Sequence, residues 1–275
     1  MQRVRRGVYD DKPVDDPVVR HLRHTEGTWQ LNGNSTVVSH LSAAVVHGLP
    51  VASSDLGRVQ LTRGDAPGGK IRGAVPIYAT TLEADEVTDV QGVRVTSLAR
   101  TVVDVGRAVS FEQAVMAGDA AVRRGLTDAM VGACLVRAAR HPGVAAARRM
   151  AGFLNAAAES PGESLSRVAL HTAGIDSPRL QYEVRNPSGG LVGRSDFAWE
   201  QHRTLGEFDG RVKYGRLLKP GQSAADVIYA EKLREDALRD LGWQVVRWTF
   251  ADLKAPDLIV DRLLRAFARG RPNPR

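Results

Sequence analysis

Three short runs follow one another in the second half of the chain: RLQYEVRN from Arg179, LVGRSDFAWE from Leu191 and RTLGEFDG from Arg203. Alternation at a period of two marks half-buried strands. Gly189-Gly190 joins the first pair and Gln201-His202 the second, each short enough for a hairpin. The long helical stretch AADVIYAEKLREDALRDLG comes next, then a fourth strand, QVVRWTF, and a last helix, APDLIVDRLLRAFARG. Hairpins, helix, strand and helix predict an α/β layer structure. On the long helix Ala230, Leu233, Ala237 and Leu241 recur at three and four residue steps as an inward stripe. Lys232–Asp236 and Glu235–Arg239 are then i,i+4 pairs on its solvent side.

Ahead of these strands, AAAESPGE sets Ser160, Pro161 and Gly162 between two helical stretches, and a helix begins near Gly162. This is the expected seam between a first unit, 1–155, and a second, 160–271. The first unit is expected to be α/β and to end in a helical segment. It opens with RVRRGVY, a strand and its turn. A helix follows over 36–47, ended by Gly48 and Pro50. Short strands lie in RVQLT, AVPIYAT and GVRVTS, and helices fill 110–155, with Ser110 and Thr127 as N-caps. Thr96, Arg100, Thr101 and Asp104 suit a strand-to-helix corner in which Arg100 pairs with Asp104. His40 and His47 lie seven apart without an acid partner, which makes them structural rather than metal-binding histidines.

Composition narrows the functional classes. Of 275 residues, 43% are hydrophobic and 25% charged, the balance of a folded globular chain. Lys+Arg 38 against Asp+Glu 31 leaves +7, compatible with a polyanionic partner. The lone Cys134 excludes intramolecular disulfides and cysteine-built zinc sites and reads as a small buried hydrophobe. No apolar run reaches bilayer length and no apolar signal core follows MQRVRRGVYDD, so a cytoplasmic protein without a membrane partner is expected.

The residues able to carry chemistry concentrate in 194–213. Asp196 is a lone carboxylate among Val192, Phe197 and Trp199. Glu207 and Asp209, two apart, share a strand face, and a short turn lets Asp196 lie beside Glu207 on it. Three converging acids repel, and one is driven neutral unless a cation compensates. A hard divalent ion, Mg²⁺ or Mn²⁺, is the natural compensator. Lys213 supplies a positive charge nearby, and Glu163, at the start of the preceding helix, completes the set. The bland alternative has Glu163 serving only its helix dipole and Glu207 and Asp209 on a solvated face. Arg234 and Arg247 are placed to touch phosphates or to pair with acids such as Glu231. Trp243 and Trp248 read as core, with Val246, Trp248 and Phe250 on one strand face.

The order of a helix-borne Glu, D-F-x-W, E-F-D-G, then E-K-x-R-E-D-x-L-R-x-x-G-W and V-V-R-W, resembles the PD-(D/E)xK nuclease superfamily over 160–269. Within it, the likeness is to bacterial domains related to very-short-patch repair endonucleases. The resemblance implies a restriction-endonuclease-like mixed sheet flanked by helices. It implies metal ligands at Asp196 and Glu207 and a helix acid at Glu163. It implies phosphodiester hydrolysis of DNA, in which Mg²⁺ or Mn²⁺ activates water and polarises the phosphate. Where that family carries a lysine two residues after the second acid, this chain has Asp209. Either Lys213 takes over, or Asp209 joins the metal ligands, or activity is lost. In the first unit RVRRGVY, SHLSAAVVHGLP and GVRVTSLARTVVDVGR resemble AbiEi-like type IV antitoxins, with RVRRGVY at the end of a wing and the preceding helix-turn-helix absent from this sequence. That likeness implies DNA, a cognate toxin or a second copy as partners. The two functions expected are a metal-dependent DNA endonuclease of phage defence or repair, and a non-catalytic DNA-binding or antitoxin-like regulator on a degenerate nuclease fold.

Overall fold

The computed structural model of the chain describes residues 2–5, 8–10, 14–33, 35–64, 71–72, 75–210 and 224–270. It divides into two compact units, Met1–Ala156 and Ala157–Arg275, and is α/β throughout, with two mixed sheets.

The first unit opens with an antiparallel pair, β1 (Gln2–Arg5) and β2 (Val8–Asp10). Helix α1 (Pro17–Asn32) follows, in a stretch to which the sequence pattern assigned nothing. Its start is well specified: Pro17 occupies the first turn, and Asp16 Oδ1 accepts from the Val18 and Val19 amides at 2.7 and 3.3 Å. The stripe it buries, however, is polar. His21, Thr25 and Thr28 face inward, so an apolar period is missing. His21 meets Ser42 Oγ at 2.9 Å and the Leu56 carbonyl at 3.1 Å, and Thr25 donates to the His21 carbonyl at 2.8 Å.

Next come β3 (Val37–Val38), α2 (His40–Val46), β4 (Leu61–Arg63), β5 (Ile71–Arg72), β6 (Val75–Ala79), β7 (Val87–Val90) and β8 (Val93–Thr96). The strands make a sheet of order β5-β6-β4-β3-β8-β7, parallel at β3/β8 and β4/β6. Val38, Leu61, Val75, Val93 and Val95 fill its core. Helices α3 (Leu98–Ala108), α4 (Phe111–Arg123), α5 (Asp128–Arg137) and α6 (Val144–Ala151) complete the unit. Ser97, Ser110 and Thr127 cap α3, α4 and α5. At the corner into α3, Arg100 Nε donates to Asp104 Oδ2 at 2.8 Å, and both residues are buried. Cys134 is also buried, which pushes its thiol up to about 11.

The second unit runs α7 (Pro161–Thr172), β9 (Arg179–Arg185), β10 (Leu191–Trp199), β11 (Thr204–Asp209), α8 (Ala224–Asp240), β12 (Gln244–Thr249) and α9 (Pro256–Gly270). The sheet order is β12-β11-β10-β9, antiparallel except for the β11/β12 pair. One face packs Phe197, Trp199, Val246 and Trp248 against Leu170 of α7 and Ile259, Leu263 and Phe267 of α9. The other packs Val184, Ala198, Leu205 and Trp243 against Leu238 of α8.

Helix α8 departs from the expected stripe. Leu233 is 52% exposed, whereas Leu238 is 1% exposed. The helix is rotated because charged residues on its inner side, Glu231, Arg234 and Glu235, have partners in the strands. Phe250 likewise leaves the expected core: it is 46% exposed, with its ring edge-on to Phe208.

Candidate functional site

The candidate site is built where strand alternation fails. In an uninterrupted strand Leu180 and Tyr182 would share a face. Here Leu180 packs with Phe197 and Trp199, and Tyr182 packs with Val184 and Trp243. The residue between them, Gln181, has φ +51, a left-handed backbone unusual for a side chain of this kind. In β10, Ser195 pairs with Tyr182 and Phe197 with Leu180, which sets Asp196 opposite Gln181. The β10/β11 ladder ends at Phe197↔Gly206. Just beyond it Asp196 Oδ2 accepts from the Phe208 amide at 2.8 Å, substituting for the missing strand partner.

Glu163 approaches from the first turn of α7. Ser160 caps that helix by accepting from the Glu163 amide at 3.2 Å. Gly162 lets the helix sit close: a Cβ there would lie 1.9 Å from Phe208 Cε1, so the ring occupies the space a side chain would need. Glu163 is 7% exposed. Its Oε2 accepts from the Glu159 amide and from Gln181 Nε2, both at 2.8 Å. Gln181 stands opposite Asp196 in the β9/β10 register and also favours its charged form, so one glutamine neighbours both carboxylates. Burial pushes the Asp196 carboxyl up to about 6 against the pull of the Phe208 amide, and the charges of Glu163 and Glu207 add to the rise.

Glu207 has a different environment. Its Oε1 accepts from Arg234 Nη2 at 2.7 Å and its Oε2 from Arg247 Nε at 2.9 Å. Arg247 stands beside Glu207 in the parallel β11/β12 register and also reaches Glu235 and Glu231, each at 2.5 Å. Arg234 closes the ring on Glu231 through Nε at 3.0 Å and Nη2 at 2.7 Å. Three glutamates and two arginines thus form one network between α8 and the sheet. Of the two roles expected for Arg234 and Arg247, pairing with acids is the one this arrangement displays.

Asp209 ends β11 half-buried, in register with Thr249. Lys213 lies outside the described residues. Asp196 and Glu163 are therefore brought together through Gln181, while Glu207 is near enough to act on Asp196 electrostatically but gives both oxygens to arginines. Among the described residues no three His, Cys, Asp or Glu side chains gather into a group able to hold a metal ion by themselves. Gln181 was not legible beforehand: a glutamine in an outer strand carries no chemical pattern, and its left-handed backbone is not written in its residue type.

No helix among the described residues is long and apolar enough to cross a membrane. No protein-family model matches the chain, and no solved structure matches it. The chain is similar to two Mycobacterium tuberculosis proteins, uncharacterized protein MT2308 of strain CDC 1551 / Oshkosh and uncharacterized protein Rv2248 of strain ATCC 25618 / H37Rv. Each is 29% identical over 208 residues, covering 74% of this chain and 73% of the relative.

Proposed function

We propose that the second unit is a metal-dependent phosphodiesterase acting on DNA, of the PD-(D/E)xK kind. The observation that carries this reading is the pair of carboxylates, Asp196 and Glu163, on either side of Gln181 where the sheet's pairing opens. Leaving a carboxyl where burial and two acids oppose its charge costs stability, and such cost concentrates at functional sites. The donor set fits a hard cation: Mg²⁺ is commonly held by one or two carboxylates, its other positions going to waters and phosphate oxygens. Asp196 and Glu163 would hold it, and the ion would supply Lewis acidity and an acidified water. Gln181 keeps the two carboxylates at a fixed spacing. The guanidiniums of Arg234 and Arg247 orient Glu207 and lend positive potential beside the acids.

The second reading, a non-catalytic DNA-binding regulator on the same fold, rests on Glu207, whose two oxygens are both committed to arginines. Calorimetric titration of Mn²⁺ or Mg²⁺ into the full chain and its Asp196→Asn variant, followed by nicking of a supercoiled plasmid, separates the two. The nuclease predicts metal heat and nicking in the wild type and neither in the variant. Equal retardation of DNA by both proteins, with no metal heat and no nicking, would select the regulator.

A further inference from the structure

In the first unit a cleft of about 360 Å³ opens between α2, the end of β6, α3 and the turn before α6. That is the size of a small-molecule pocket. Arg100 and Arg107 line it, together with His40, Tyr78, His141 and Pro142, and among the described residues no carboxylate does. The acids that balance the arginines lie behind them. Asp104 takes Arg100 Nε at 2.8 Å and Arg107 Nη1 at 2.7 Å, and Glu86 takes Arg100 Nη1 at 3.1 Å; Asp104 is 0% and Glu86 1% exposed. The wall is therefore lined by arginine and histidine side chains, with the arginines' carboxylate partners in the core.

Two nitrogens remain unanswered among the described residues. Arg100, itself 2% exposed, has an Nη2 with no acceptor, and His141 Nδ1 has no partner either. Buried donors are nearly always paired, so an orphaned guanidinium nitrogen in a pocket wall marks a place for an acceptor.

The surrounding geometry is fixed rather than adventitious. Gly143, at φ +80, allows the His141–Pro142 turn to press on α3, because a Cβ there would lie 2.3 Å from the Arg107 carbonyl oxygen. Arg107 Nε then donates to the Pro142 carbonyl at 2.9 Å. His40, in a left-handed conformation at φ +54, stacks on Tyr78 with ring centroids 3.9 Å apart and 19° between planes. Burial holds its imidazole down to about 4, and burial together with the two arginines lowers that of His141, so both rings are neutral at pH 7. Neutral rings can donate one hydrogen bond each without adding charge.

We propose that this cleft binds a small phosphomonoester, with the phosphate on Arg100, Arg107 and His141 and a planar group beside the stacked His40 and Tyr78. A phosphate directs three terminal oxygens along separate tetrahedral directions, which suits side chains arriving from α3 and from the turn before α6, whereas a carboxylate's two oxygens lie in one plane.

Phenyl phosphate titrated into the full chain at pH 7 tests it, with phenol as the probe lacking phosphate. Saturable heat with phenyl phosphate but not with phenol is expected, weakened about tenfold or more by Arg107→Gln and by His141→Ala. Circular dichroism checks that each variant is folded. If Arg107→Gln loses its fold, His141→Ala decides, since its ring makes no hydrogen bond through Nδ1 that folding needs. No saturable heat in the wild type, equal binding of phenol, or undiminished binding by His141→Ala would each overturn the assignment.

Discussion

Replacing Asp196 by Asn should stabilise the second unit at pH 8 and leave it nearly unchanged at pH 3.5. Folding raises this carboxyl from the usual 3.8 to about 6, chiefly by burial. At about 1.4 kcal/mol per pH unit, carrying the charge in the folded state costs about 3 kcal/mol above pH 6. Asn keeps an acceptor for the Phe208 amide, and the help that this amide gives the charge is already contained in the net rise. The expectation is therefore a gain of about 3 kcal/mol at pH 8. The sign follows from proton binding. Between about pH 4 and pH 6 the folded state holds a proton that the unfolded state has released, so the wild type loses this stability as pH rises through that window. Below it, protonated Asp and Asn are nearly equivalent. Urea unfolding followed by tryptophan fluorescence measures the difference, because Trp199, Trp243 and Trp248 all belong to this unit and are buried. A variant no more stable than the wild type at pH 8, or a difference that stays constant from pH 8 to pH 3.5, would refute the reasoning. A gain would mean that the wild type gives up stability to keep a carboxylate in place, as sites shaped by function do.

Glu207→Gln should destabilise the same unit by about 2 kcal/mol or more, because Arg234 and Arg247 lose the least exposed of their carboxylate partners while remaining partly buried; urea midpoints at low salt would show it, and a loss below about 0.5 kcal/mol would place the pair among ordinary surface ion pairs. Gly162→Ala should cost about 1–3 kcal/mol by forcing the Phe208 ring aside, and Phe208→Ala should relieve part of that cost. Additive effects in the double variant would mean that α7 and β11 do not meet as tightly as the 1.9 Å separation requires.

Local pattern made much of the fold legible. The period of two placed β9, β10, β11 and β12, cap residues placed the starts of α4 and α5, and the Ser160-Pro161-Gly162 run placed that of α7. It failed where a buried surface is not apolar. Helix α1 turns His21, Thr25 and Thr28 inward, and a polar stripe satisfied by distant hydrogen bonds has no signature in its own segment. Helix α8 carried an apparent apolar stripe through Leu233, yet partners for its inward charges lay in strands on either side of it in sequence.

The acids divide along the same line. That Asp196, Glu207 and Asp209 ride on neighbouring strands follows from spacing, because side-chain direction in a strand repeats every second residue. Which of them share an environment does not. The left-handed Gln181 turns β9 over within one residue, standing opposite Asp196 while its amide donates to Glu163. Glu207 is claimed by Arg247, forty residues away in sequence and adjacent only because β11 and β12 pair in parallel. The α/β class, the hairpins and the presence of the acids are legible along the chain, since these depend on neighbours a few residues apart. Tertiary structure decided which acids pair with arginines and which are left to repel one another, because a carboxylate's partners are set by strand register and helix rotation.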